Sequence, residues 1–190
     1  MRIIAGAMRG LRLAELGDGD SAAALRPTSD RVREAVFNLL AHGGYAAPPA
    51  PIDMRVLDLF SGTGALGLEA LSRGAAVATF VENGRAALGL LRDNVARGRA
   101  GAAATVLERD ATRLGRRTDA AFDLVFLDPP YARGLGERAI ASAVAGDWLA
   151  PGALVVWEEG AAMSAPAGLT PLDARRYGSS MISLFRHDPV

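Results

Sequence analysis

Between residues 55 and 159, apolar runs of strand length alternate with stretches of helical periodicity, and this alternation constrains the fold more than any other feature. The runs are "RVLDLF" (55–60), "VATFVE" (77–82), "ATVLER" (104–109), "FDLVFLD" (122–128) and "ALVVWEE" (153–159), with helices expected near 64–73, 84–98 and 135–146. Such units are joined by right-handed crossovers and place helices on both faces of a sheet whose strands run parallel. The expected class is therefore α/β, a Rossmann-like, mostly parallel sheet. Near the end, turn-like "YGSS" precedes strand-like "MISLFR", so an antiparallel pair is expected to close one sheet edge.

The first forty residues differ in character. "RIIA" and "LRLAE" are two short strand-like pieces separated by Gly6 and Gly10, which reads as a hairpin. In "RPTSDRVREAVFNLL", Pro27 blocks helix continuation from upstream and Thr28 or Ser29 can cap. Val32, Ala35, Val36, Leu39 and Leu40 then mark one buried face, with Arg31, Arg33 and Glu34 opposite. "GGYAAPPAP" (43–51) ends that helix. Residues 1–42 are thus expected as a hairpin and amphipathic helix appended to a main unit at 52–190, the whole forming one compact body.

Composition excludes several classes. The chain of 190 residues is half hydrophobic, yet no run approaches the roughly 20 apolar residues a membrane span requires. The amino terminus lacks the apolar core of a secretory signal, so a cytoplasmic location is expected. Absence of cysteine removes disulfides, thiolate nucleophiles and zinc-thiolate sites, while His42 and His187 lack ligand-like spacing, so no metal is expected. Formal net charge is zero, which argues against bulk attraction to polyanions but leaves room for a local basic face. Eight arginines against three acids between Arg85 and Arg117 read as a solvated helix face or as a phosphate-binding strip.

Chemistry is concentrated where strands end. "VLDLFSGTGALGLEA" runs from a strand into Gly62, Gly64 and Gly67, and the next helix starts at once. Glycine lets the backbone approach a ligand closely, and a helix N-terminus offers free amides, so a nucleotide-like ligand is expected there. Glu82, twenty residues beyond Gly62, ends the second strand at the spacing at which a carboxylate meets ribose hydroxyls. A nicotinamide dehydrogenase and an S-adenosylmethionine enzyme both fit this much. Asp58 favours the second, because an acid before the loop repels a pyrophosphate but accepts from an ammonium, directly or through water. "ERDA" puts Asp110 and Ala111 after the third strand, where the carboxylate suits either an adenine amino group or a helix cap.

The fourth strand ends in Asp128, Pro129, Pro130 and Tyr131. Ligands of open α/β sheets bind outside the carboxyl ends of the strands, so this tetrapeptide is expected to face the glycine loop. Asp128 and the Pro129 carbonyl can accept from an exocyclic amine, the proline rings stiffen the turn, and Tyr131 offers a stacking surface. A rigid turn with a capping Asp is the plainer alternative.

"LRPTSDRVREAVFNLL", "VLDLFSGTGALGLEALSRGA", "VEN" and "FDLVFLDPPY" resemble the successive motifs of the bacterial 16S ribosomal RNA guanine N2-methyltransferases, and the resemblance covers nearly the whole chain. It implies a class I S-adenosylmethionine-dependent methyltransferase fold. It implies the cofactor S-adenosyl-L-methionine among Asp58, Gly62, Gly64, Glu82, Asp110 and Ala111, and a guanine at Asp128, Pro129, Pro130 and Tyr131. The implied partner is 16S rRNA, within the small subunit or an assembly intermediate, with Arg26, Arg31 and Arg33 as candidates for RNA phosphates; Arg31 could instead meet the cofactor carboxylate. A DNA adenine N6-methyltransferase, or another amino-methylating enzyme, would use the same acceptor chemistry.

Overall fold

The computed structural model describes residues 1–15, 29–131 and 133–188. The main unit holds strands β1 (Arg55–Leu59), β2 (Val77–Glu82), β3 (Ala104–Glu108), β4 (Phe122–Leu127), β5 (Leu149–Glu159), β6 (Leu169–Tyr177) and β7 (Ser180–His187). They form one sheet in the order β3-β2-β1-β4-β5-β7-β6. β1 to β5 pair in parallel, and β7 enters antiparallel between β5 and β6. β6–β7 is the antiparallel pair expected at the edge.

Helices α2 (Ala65–Ser72), α3 (Arg85–Arg97) and α4 (Leu135–Ala145) and a short 3-10 turn at Ala111–Arg113 connect the parallel strands. The three helices each lie within two residues of their expected spans. The strands alternate between two cores because successive side chains point to opposite faces. Val56, Phe80, Leu124, Phe126 and Val156 pack with α2, α3 and the amino-terminal segment, whereas Leu57, Val125, Leu127, Val155 and Trp157 pack with α4 and the 3-10 turn. β5 starts four residues earlier than expected: Leu149 pairs with Phe122 and Leu154 with Leu124, so an irregularity in register absorbs exposed Pro151 and Gly152.

Helix α1 (Asp30–His42) begins at Ser29, whose hydroxyl accepts from the Val32 amide. Its buried face contains Val36, Phe37, Leu39 and Leu40, with the Phe37 ring 5.5 Å from that of Phe126. The two strand-like pieces before it meet in a single bridge, Arg2 to Arg12. Further amides of this segment tie it to α2: Ile4 and Ala5 donate to the Glu69 carboxylate at 2.7 and 3.0 Å, and Met8 donates to the Ser72 hydroxyl at 2.9 Å. Among the described residues no helix is long and apolar enough to cross a membrane.

The chain leaves β1 toward β2 on one side and reaches β4 on the other. That reversal opens a crevice outside the carboxyl ends of β1 and β4.

Candidate active site

The loop after β1 is held in an unusual backbone state. Gly62 and Gly64 have φ of 53° and 82°, a left-handed region that glycine enters without penalty. Phe60 also sits there, at 57°, and a residue with a Cβ costs about 1 kcal/mol or more in that region. Gly67 serves packing: a Cβ there would lie 2.4 Å from the Phe80 ring and 3.0 Å from Asp58 Oδ2.

Asp58 lies beneath this loop and is 1% exposed. Its Oδ2 accepts from the Gly67 amide at 2.9 Å and thus satisfies a donor in the first turn of α2, which has no side-chain cap at Gly64. Burial pushes the Asp58 carboxyl up to about 7; the Gly67 hydrogen bond opposes the shift and the Glu82 charge adds to it. An anion held so near neutrality is favoured by any cation that arrives above the loop.

Glu82 ties the loop to β2. Its Oε2 accepts from the Gly62 amide at 2.9 Å, and its Oε1 from the Asn83 and Gly84 amides at 2.9 and 2.7 Å. A carboxylate has about four acceptor sites, so these three bonds leave one on Oε2. Asp110 caps the 3-10 turn through Oδ1, which accepts from the Thr112 amide and hydroxyl, both at 2.8 Å. Those bonds hold its carboxyl below the usual range. Among the described residues its Oδ2 receives no hydrogen bond, while adjacent Ala111 is buried. The cap reading is correct for one oxygen, and the other is available to a ligand.

Across the crevice, Asp128 and Pro130 are half-buried and Pro129 is buried. The Tyr131 hydroxyl donates to Glu158 Oε1 at 2.9 Å and lies 3.1 Å from Ser180 Oγ, and Ser180 donates to the same Glu158 oxygen at 2.7 Å. Burial, with the Glu158 charge adding, pushes the Tyr131 phenol up to about 12 against a lowering hydrogen bond from Ser180. Tyr131 therefore stays neutral across the physiological range. Beside it opens a cleft of about 500 Å³ lined by Ser29, Arg31, Glu158, Arg176, Tyr177 and Ser179.

Sequence reasoning missed Glu158, Ser180, Arg176 and Tyr177. Glu158 had a readable signal: β5 pairs with β4, so an acid near its carboxyl end obeys the rule that selected Asp58 and Asp128. The others come from the β6–β7 turn, which no local motif ties to Tyr131.

Of the three amino-terminal arginines, Arg26 lies outside the described residues and Arg31 is exposed on the cleft. Arg33 corrects the expectation. It is fully buried on the same helical face as Phe37, so it cannot meet an RNA phosphate. Its charge is balanced by Asp30 Oδ1 at 2.9 Å and buried Glu69 at 3.6 Å, and it also donates to the Arg2 carbonyl. Periodicity counted in apolar residues alone put Arg33 outside and overlooked Phe37.

A family model described as Conserved hypothetical protein 95 matches residues 1–186. The chain belongs to this family. Ribosomal RNA small subunit methyltransferase D of Escherichia coli K12 is 42% identical over 158 residues, which cover 83% of this chain and 74% of that one. The protein of the same name from Haemophilus influenzae is 37% identical over 161 residues, covering 83% and 78%. The solved structure of yhhF from Escherichia coli, described as a methyltransferase, matches with a TM-score of 0.80 at 38% identity over 99% of this chain and 98% of that one. This family member has the class I methyltransferase fold, and family and fold together imply S-adenosylmethionine as the methyl donor.

Proposed function

We propose that the protein transfers a methyl group from S-adenosyl-L-methionine to the exocyclic N2 of one guanine in 16S rRNA. The observation that supports it most is the pairing of two unlike half-sites at the switch point: a glycine loop with spaced acids after β1, and Asp128 to Tyr131 after β4. The relatives' name, Ribosomal RNA small subunit methyltransferase D, supports the RNA substrate over DNA.

The donor set suits the cofactor. Asp110 Oδ2 is an acceptor for the adenine amino group, with Ala111 beside it; the remaining Oε2 site of Glu82 faces ribose; Gly62 and Gly64 bring backbone close; and Asp58 supplies negative charge under the loop. Bound there, S-adenosylmethionine supplies a methyl activated by its sulfonium charge. The chain's own residues act on the acceptor. Asp128 and the Pro129 carbonyl accept from the amine, orient its delocalised lone pair and stabilise positive charge developing on nitrogen. Pro130 keeps the turn rigid, and Tyr131 stacks against a base taken out of its own stack. The N–C bond would form as the donor's S–C bond breaks, and the N–H proton leaves to Asp128 or to water.

In this reading residues 52–190 form the catalytic unit, with 1–42 appended. The enzyme acts in the cytoplasm on the small subunit or an assembly intermediate. Labelled methyl transfer to unmethylated small subunits, free 16S RNA and duplex DNA, with the modified nucleoside identified, tests the assignment.

A further inference from the structure

The cleft beside Tyr131 has two walls of different origin, and each carries an arginine. Arg31 comes from the first turn of α1; Arg176 and Tyr177 come from the end of β6, followed by the turn through Gly178 and Ser179. Seven arginines of the described chain pair with acids: Arg2 with Asp30, Arg33 and Arg73 with Glu69, Arg92 with Glu108, Arg97 with Asp93, Arg116 with Asp147 and Arg175 with Asp173. Arg31 and Arg176 form no ion pair among the described residues and are exposed. Two uncommitted guanidiniums across a cleft suit a bridging anion, because each presents a planar fork of donors to phosphate oxygens.

The walls are also fixed relative to the acceptor residues. Ser180, which follows the turn, and Tyr131 share one buried carboxylate oxygen of Glu158, and Tyr177 pairs in register with Ser180. A displacement of the β6–β7 turn would break the bonds that orient Tyr131. The aromatic ring of Tyr177 gives the same cleft a stacking surface. Phosphate forks interleaved with aromatic rings are the chemistry of single-stranded RNA binding.

We infer that the Arg31–Arg176 cleft grips the ribose-phosphate backbone of single-stranded RNA next to the target guanine, and that the β6–β7 turn is the enzyme's RNA-positioning element. The inference rests on the RNA reading of the acceptor site. It deepens that reading by naming a backbone-binding wall outside the acceptor motif.

The test uses the full chain with an unmethylated 16S RNA fragment. Arg31→Ala and Arg176→Ala are each expected to raise KM for RNA about tenfold and to reduce the slope of log affinity against log salt by about 0.7, the loss of one single-strand phosphate contact. S-adenosylmethionine affinity, measured by calorimetry, should match the parent. Arg116→Ala removes the same charge from outside the cleft and should keep the parent slope. If Arg31→Ala and Arg176→Ala leave KM and salt slope unchanged while the parent methylates the RNA, the cleft assignment is overturned by itself. If the parent methylates only DNA, the RNA reading falls first and takes the cleft with it.

Discussion

The amide of Gly62 donates to the carboxylate of Glu82 at 2.9 Å, so the twenty-residue spacing between them is a physical bond joining the β1 loop to the end of β2. The same carboxylate orders the Asn83 and Gly84 amides. Glu82→Ala should therefore weaken S-adenosylmethionine about 10- to 100-fold, the ~1.5–3 kcal/mol of a charge-assisted hydrogen bond, and weaken RNA much less. Calorimetry with each ligand checks this, and equal losses for both would contradict a cofactor-side role.

Asp58 makes a prediction about pH. Its folded value near 7 lies above the ordinary 3.8, so between about pH 4 and pH 7 the native state binds more protons than the unfolded chain. Stability from this group therefore falls as pH rises through that window and levels off above it. Asp58→Asn carries no titrating proton. The Tm of the variant, relative to the parent, should rise between pH 4 and 7 in the absence of ligand, and a pH-independent gap would exclude the buried carboxyl as the cause.

Tyr131→Phe keeps the ring and removes the hydroxyl that meets Glu158 and Ser180. Turnover on RNA, as kcat/KM, should fall about tenfold, equivalent to ~1.4 kcal/mol, with cofactor affinity unchanged. Because the phenol is pushed up to about 12, its ionisation should leave no mark on the rate profile between pH 6 and 9. Parent-like kcat/KM in the variant would show that ring orientation does not depend on the hydroxyl.

Arg33→Ala should act on stability and not on RNA affinity. It strips a buried cation from buried Glu69, a change of the kind that costs about 3–5 kcal/mol. Chemical denaturation should show this loss while the salt slope of RNA binding stays at the parent value. A flattened slope with parent stability would return Arg33 to the RNA surface.

The parallel half of the sheet was legible because β1 to β5 each carry a mainly apolar run of strand length and the helices between them have their own period. The glycine loop and the Asp128–Tyr131 turn were legible for a related reason: their chemistry is contiguous in sequence. What sequence concealed depends on tertiary pairing. The early start of β5 depends on pairing with Phe122. Arg33 turned inward because Glu69, thirty-six positions later, was there to receive it. The Tyr131–Glu158–Ser180 contacts join three separate segments, and no window of sequence contains them.

The most direct test is labelled methyl transfer from S-adenosylmethionine to unmethylated small ribosomal subunits, with digestion and identification of the product. The account predicts label in N2-methylguanosine at one site of 16S rRNA, and its loss in Asp128→Ala protein that still binds the cofactor. Label in N6-methyladenine of duplex DNA, or undiminished transfer by Asp128→Ala, would contradict it.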